Sequence, residues 1–346
     1  MVSVMVPRGT SSPAERAARP TLAEVARHAA VAESTVSKVL NGRAGISDDL
    51  RDRVERALHD LGYRRRGGES TPGAVIELVV ERLSSQWSLD VFRGVQRVAV
   101  ENRMAVILTE RAVGDSREDW VDGVIQRRPR GVILALSRLT AQAERRLRVR
   151  DLPFVLIDPI SPPEFDAPAV GSANWEGGWL ATRHLIALGH RRIAAVTMPT
   201  TLLFARARLS GFQAALDEIG VDADPSLIIA THSRREDGIV AGRRLLAARP
   251  RPTAIVAGTD VQAIGLYEAA REAGLRIPDD LSIVGYDDIP ASEWLSPPLT
   301  TVRQPVVQMA EQATRMLVTM IGGHLLAVSR LTLDVSLVER SSTAPV

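Results

Sequence analysis

The 346-residue chain contains no cysteine, which excludes disulfides, thiol nucleophiles and Cys-ligated metal sites. Its 43 Lys and Arg against 41 Asp and Glu leave a net charge of +2, too small for a globally basic nucleic-acid binder. The excess is uneven, however: residues 1–73 hold 12 basic against 9 acidic side chains and the remainder 31 against 32, so the positive surplus lies at the N-terminal end.

No apolar run reaches the roughly 18 to 20 residues of a membrane helix, and the first residues have no apolar stretch of signal-peptide length. A cytoplasmic protein is expected. Residues 1–20, rich in Arg, Ala, Ser and Pro, show no periodicity and read as a disordered tail. Thr21 then opens a helix, because Glu24 stands three residues on and can close a capping box. Leu22, Val25, Ala26 and Ala29 fall at i, i+3, i+4 and i+7 and form its buried face. After a tight turn at Ala30–Ala32, a second helix runs from about Glu33 to Leu40. Val36, Val39 and Leu40 are its apolar side, and Glu33, Ser34, Thr35, Ser37, Lys38 and Asn41 its polar side. A third helix, with Ser47 at its cap and Asp48 and Asp49 in its first turn, buries Leu50, Val54, Ala57, Leu58 and Leu61 and stops at Gly62. Two helices joined by so short a turn, the second polar outward, describe a helix-turn-helix whose second helix enters the major groove.

Residues 64–73 (RRRGGESTPG) are a linker with a basic start. From Ala74 the pattern alternates. Strands are expected at Ala74–Val80, from Ala105, from Gly131 and from Pro153, with helices near Leu89–Glu101, Arg117–Gln126 and Leu139–Arg148. A second set of strands starts at Arg192, Ser226, Thr253 and Leu281, with helices near Gly177–Leu188, Arg206–Ile219, Asp237–Ala248 and Asp260–Ala273. Apolar strands separated by amphipathic helices mean parallel sheets covered on both faces. The fold class is therefore α/β: a three-helix head at 21–63 and a domain at 74–346 of two doubly wound subdomains. One is expected at about 74–165 and 302–329, the other at about 166–301 and 330–340. Ligands of such sheets bind beyond the carboxyl ends of the strands, here the cleft between the two.

The strings TLAEVARHAAVAESTVSKVLNG and LGYRRR resemble the DNA-binding head of the LacI/GalR family of bacterial regulators. NWEGGWLATRHLIALGHRRIAAV, RARLSGFQAAL, GTDVQAIGLYEAAREAGLRIPDDLSIVGYDDIP and SPPLTTVRQP are similar to its periplasmic-binding-protein-like effector domain. The resemblance implies that Glu33, Ser34 and Lys38 read base edges and that Thr35, Ser37 and Asn41 meet phosphates, with Thr21, Arg64 and Arg65 completing the DNA-facing set. Ala30 and Ala32 stand where the family usually has Gly and Ser. An Ala in a left-handed turn costs roughly 1 kcal/mol or more, and an absent side-chain cap roughly 1 kcal/mol. The linker also lacks the apolar residue that relatives wedge into the minor groove, so weaker operator bending is expected.

In the cleft, the resemblance puts Arg208 and Asp287 at ligand-contacting positions. Asp158 and Asp260 follow strands and join them, giving a neutral sugar donors and acceptors for its hydroxyls. Trp87, Trp175 and Trp294, on loops or helix starts, offer flat faces to a di- or oligosaccharide, whereas Trp179, inside a helix, reads as core. The expected function is a homodimeric, sugar-responsive repressor on a roughly palindromic operator, with no cofactor and no metal. Two other classes fit less well. A glycosidase would need a carboxylate pair, but Asp287 and Asp288 are adjacent in a strand and point to opposite faces, and no HExxH, GxSxG or Walker string is present. A periplasmic sugar-binding protein would have no use for the head.

Overall fold

The computed structural model describes residues 20–41, 45–63, 74–81, 83, 85–111, 119–136, 139–161 and 167–346. The tail, the linker with Arg64 and Arg65, and any hinge element within it lie outside the described residues. Two compact units emerge, the head together with the short segment Val149–Asp151, and the rest of the effector domain.

The head is α1 (Leu22–His28), α2 (Glu33–Leu40) and α3 (Asp48–Asp60). Its core is Val25, Ala26, Val36, Val39, Val54 and Leu58, all buried, so the spacing read from the sequence gives the observed inner faces. The capping box at α1 is complete: the Thr21 amide donates to Glu24 Oε2 at 2.6 Å, and the Glu24 amide donates to Thr21 Oγ1 at 3.3 Å. Ala30 sits at φ +53° in the turn, and Ala32 occupies the cap of α2 without a side-chain hydrogen bond. Ser47 holds the cap position of α3, but its hydroxyl makes no cap bond, contrary to expectation. Gly62, at φ +60°, ends that helix in the left-handed conformation that glycine adopts without cost.

The effector domain contains two six-stranded sheets. The first is built from β1 (Ala74–Val80), β2 (Met104–Glu110), β3 (Val132–Ala135), β4 (Phe154–Ile157) and β5 (Ala169–Ser172), with α4 (Gln86–Glu101), α5 (Asp119–Arg127) and α6 (Ala141–Arg148) between them. The chain then crosses to the second sheet. There α7 (Asn174–Ala187), β6 (Ile193–Thr197), α8 (Leu203–Asp217), β7 (Ile228–Ala230), α9 (Arg235–Ala247), β8 (Ala254–Ala257), α10 (Asp260–Glu272), β9 (Ser282–Asp287), α11 (Ala291–Trp294) and β10 (Thr300–Arg303) follow. It returns for α12 (Val306–Ile321) and β11 (Arg330–Leu333) and crosses a third time into β12 (Ser336–Val338).

The strand orders are β11-β5-β4-β3-β1-β2 and β12-β10-β9-β8-β6-β7. All described pairings are parallel except β12 on β10. Leaving aside the last strand of each, both sheets follow one order, with the switch between β1 and β3 in one and β6 and β8 in the other. The subdomain limits differ from those read in the sequence. β5 and β11 belong to the first sheet and β10 to the second, because the chain changes sheets at residues 173, 304–305 and 334–335. Short, half-polar segments such as AVGS, TTVR and RLTL carry too little periodicity to be assigned to a sheet. The helix α12, which the sequence reading left out, buries Met309, Ala310, Ala313 and Leu317 against Ile76, Leu78, Ile133 and Val155 of the first sheet.

Glycines set the closest helix contacts. A Cβ at Gly178 would overlap the Arg208 carbonyl and one at Gly211 the Trp175 carbonyl, so α7 and α8 meet backbone to backbone. Gly238 and Gly265 do the same for α9 and α10.

Candidate functional site

In the head, Glu33, Ser34 and Lys38 of α2 are exposed, and Thr35 and Ser37 are half-buried. Asn41 turns back on its own helix, its amide donating to the Ser37 carbonyl at 2.7 Å and to Ser37 Oγ at 3.3 Å. The Thr21 hydroxyl is engaged in the capping box, donating to Glu24 Oε2 at 3.0 Å. The free polar face of α2 is thus Glu33, Ser34 and Lys38, the three positions expected to meet bases. The other head positions stand beside it or in structural bonds.

In the effector domain, the strand ends bring Asp158, Asn174, Arg208 and Gln304, all buried, together with the partly exposed Asp287 into one polar cluster. Arg208 projects from α8. Its Nε donates to Asn174 Oδ1 at 2.8 Å, Nη1 donates to the Gly258 carbonyl at 2.7 Å and stands 3.7 Å from Asp287 Oδ1. The guanidinium carbon lies 3.5 Å from the centroid of the Tyr286 ring and 5.2 Å from that of Phe204, so two π faces support the cation. Asn174 Nδ2 donates to Asp158 Oδ1 at 3.4 Å, and Gln304 Nε2 donates to Asp287 Oδ1 at 2.7 Å. Ser172 Oγ donates to Gln304 Oε1 at 2.8 Å, which ties the first crossing between the sheets to the second.

Asp158 and Asp287 both have positive φ, +47° and +114°, which Asp adopts more readily than most residues and which aims each carboxylate off its strand end. Burial raises the Asp287 carboxyl to about 7, against the opposing charge of Arg208. It raises Asp158 to about 6, again with Arg208 opposing. One buried carboxylate, Asp158, and one partly exposed, Asp287, therefore share one guanidinium, and the cluster is short of positive charge.

Asp260 was expected in this set, but its carboxylate is fully occupied. Oδ1 accepts from Thr301 Oγ1 at 2.6 Å, and Oδ2 accepts from Ser292 Oγ at 2.7 Å and from the Ile289 amide at 2.9 Å. With no exposed surface, it fastens the loop after β9 to β10. Asp288 turns away from Asp287 to pair with Arg303 at 2.5 Å and Arg340 at 2.7 Å, so the two adjacent carboxylates do not form an acid and base couple.

The aromatic positions divide. Trp175 is 46% exposed and lines a cavity of about 470 Å³ with Asp158, Ser172, Asn174, Glu176 and Phe204. Trp87 is half-buried against the core of the first sheet, and Trp294 is 79% exposed on α11; neither lines that cavity. Trp179, read as core, is only half-buried. It stacks on Trp175 with centroids 6.4 Å apart and planes at 17°, and its indole N–H donates to Glu218 at 2.7 Å. Asn174, Gln304, Ser172 and Phe204 were missed in the sequence. Asn174 and Gln304 each come one or two residues after a strand, and that was the available signal. Among the described residues, no group of three or more His, Asp or Glu could hold a metal, and no helix is long and apolar enough to cross a membrane.

Comparison with known proteins agrees with both units. Residues 21–66 match the bacterial regulatory proteins of the lacI family, and residues 182–343 match the periplasmic binding protein-like domain. The ribose operon repressor of Escherichia coli strain K12 is 32% identical over 329 residues, covering 93% of this chain and 99% of that protein. The solved complex of the transcriptional regulator CelR with cellobiose is 31% identical, with a TM-score of 0.74 over 94% of this chain and 100% of the other. The lac repressor dimer bound to operator and an anti-inducer is 26% identical, with a TM-score of 0.70 over 94% and 99%. A helix-turn-helix head followed by two doubly wound halves, matched over nearly its whole length by such repressors, makes the chain a member of the lacI family of bacterial transcriptional regulators.

Proposed function

We propose that the chain is a homodimeric repressor of carbohydrate-use genes, released from a palindromic operator when a sugar enters the cleft of the effector domain. The observation that carries the reading is the polar cluster between the two sheets. Arg208 and Asn174 supply donors, Asp158 and Asp287 acceptors, and Tyr286 and Phe204 a supporting apolar bed, the inventory that fixes several hydroxyls of one ring. The similar structure with cellobiose and the relative named for a ribose operon support a sugar as effector. Glu33, Ser34 and Lys38 are the base-reading residues on this view, and a twofold dimer follows because one helix-turn-helix spans a half-site. The relatives are transcriptional regulators, and we infer that this chain likewise performs no catalysis and works in the cytoplasm on the nucleoid.

The test uses duplexes selected by the protein from a random pool. Operator affinity is measured by fluorescence anisotropy with and without each sugar, and sugar affinity with and without operator. A coupling of roughly 1 to 3 kcal/mol, equal in both directions, is expected. Equal operator affinities across every sugar tested would refute the reading.

A further inference from the structure

The cavity beside the polar cluster has a wall that one sugar ring in the cluster would not use. Asp158 and Asn174 belong to both the cluster and the cavity, but Arg208 and Asp287 do not line the cavity, whereas Trp175 and Phe204 do. Trp175 leaves nearly half its surface to solvent, and its environment holds it in place. Trp179 stacks behind it, the Arg183 guanidinium carbon lies 4.6 Å from the Trp179 centroid, and Glu218 takes the Trp179 N–H. Gly211 lets α8 press directly on the Trp175 carbonyl, so the backbone beneath the ring has no slack. An exposed indole fixed in advance loses little freedom when a flat partner settles on it.

The charge of the lining narrows that partner. Among the described residues, Asp158 and Glu176 line the cavity, and no Arg, Lys or His does. A phosphate or carboxylate would meet only negative charge there. A neutral ring would offer an apolar face to Trp175 and hydroxyl donors to the carboxylates.

We propose that this cavity is an outer subsite for a neutral sugar unit stacked on Trp175, and that the effector is a disaccharide or longer whose inner ring lies in the Asp158–Arg208–Asp287 cluster. The proposal rests on the reading of that cluster as a sugar site. Trp179, Arg183 and Glu218 are positioning residues for Trp175.

Isothermal titration of the full-length protein decides it, with glucose, cellobiose and maltose, xylose and xylobiose, galactose and melibiose, and the anionic probes glucose 6-phosphate and glucuronic acid. At least one disaccharide should bind about 10-fold more tightly than its own monosaccharide. In Trp175→Ala, checked for folding by its thermal melt, that ratio should fall toward 1, while Trp175→Phe should keep most of it. Binding of the disaccharide should also change indole emission in the parent and less so in Trp175→Phe. If no sugar binds, the reading of the cluster fails and the subsite with it. If a sugar binds and Arg208→Gln abolishes it, yet the ratio is already near 1 or survives Trp175→Ala, the subsite alone is wrong. A preference for the anionic probes would overturn the chemical class.

Discussion

Replacing Asp287 by Asn should make the protein more stable at pH 8 while impairing effector binding. In the folded state the Asp287 carboxyl keeps its proton up to about pH 7, whereas the unfolded chain releases it near the ordinary value of 3.8. Between those values the folded state binds more protons, so stability falls as pH rises from about 4 to about 7, and the loss is complete above 7. The distance from 3.8 to about 7 corresponds to at most about 4 kcal/mol. Relaxation and water entry lower it, so a gain of about 1 to 4 kcal/mol is expected for the variant at pH 8 and almost none at pH 4. The amide oxygen of Asn can still accept from Gln304 Nε2, and Arg208 keeps Asn174 and the Gly258 carbonyl while facing one carboxylate, Asp158, in place of two. The assay is urea unfolding followed by circular dichroism at pH 5, 6.5 and 8, with sugar affinity measured in parallel. At pH 8 affinity should drop at least tenfold, because a hydroxyl loses its charged acceptor, and by less at pH 5, where the parent's carboxyl is itself protonated. Asp158 and Asp260, each raised to about 6 by burial, keep part of the decline in the variant, so a variant less stable than the parent at pH 8, or one whose decline between pH 5 and 8 is no shallower than the parent's, would show that Asp287 is not the desolvated group.

Asp260→Asn sets two effects against each other: an amide NH₂ would face donors where the carboxylate now accepts three hydrogen bonds, while burial, which raises this carboxyl to about 6, makes its charge costly at pH 8, so a net loss of only about 1 to 2 kcal/mol is expected there in the same unfolding assay. Arg127→Ala should cost about 3 kcal/mol, since Glu77 is fully buried within β1 and is held by Arg127 and by Thr109 at 2.6 Å. Adding Glu77→Gln should recover part of that loss, and a double-mutant cycle by urea unfolding measures the recovery. Lys38→Ala should cost roughly 1 to 3 kcal/mol of operator binding and relax preference at one base pair per half-site, read by anisotropy on a set of operator variants. Uniform weakening on all sequences, with a shallower salt dependence, would instead make Lys38 a phosphate contact.

The head was legible almost residue by residue, because helix caps, the 3.6-residue spacing and a short turn are local signals. Ala30 even takes the left-handed turn conformation for which the family usually uses Gly. The Ser47 cap failed, since a hydroxyl at the right position need not point at the amide, and Leu50, expected in the buried face of α3, is only half-buried and outside the head's core. In the effector domain the long apolar strands were legible and the short crossings were not, because β5, β10 and β11 owe their pairing to tertiary context. The candidate site was half visible. Arg208, Asp287 and Asp158 meet as expected, while Asp260 looked identical in sequence, a carboxylate just after a strand, and only its three donors reveal a fastening role. Trp179 misled for a related reason: helical position says nothing about which side of the helix another aromatic ring occupies. The glycines at 178 and 211 were visible as letters, but their meaning depends on two helices whose contact the sequence does not state.

The three crossings have a consequence for how the protein is made. The core of the first sheet is closed by Met309, Ala310, Ala313 and Leu317, which follow the entire second sheet in the chain, and β12 closes the edge of the second sheet after them. Neither half of the effector domain is therefore complete until α12, β11 and β12 have left the ribosome, whereas the head's three helices are consecutive and take one later residue, Val149, into their core. During synthesis the three helices that read DNA emerge well before the sensor can close, and a chain stalled or clipped before residue 306 would carry the former without the latter.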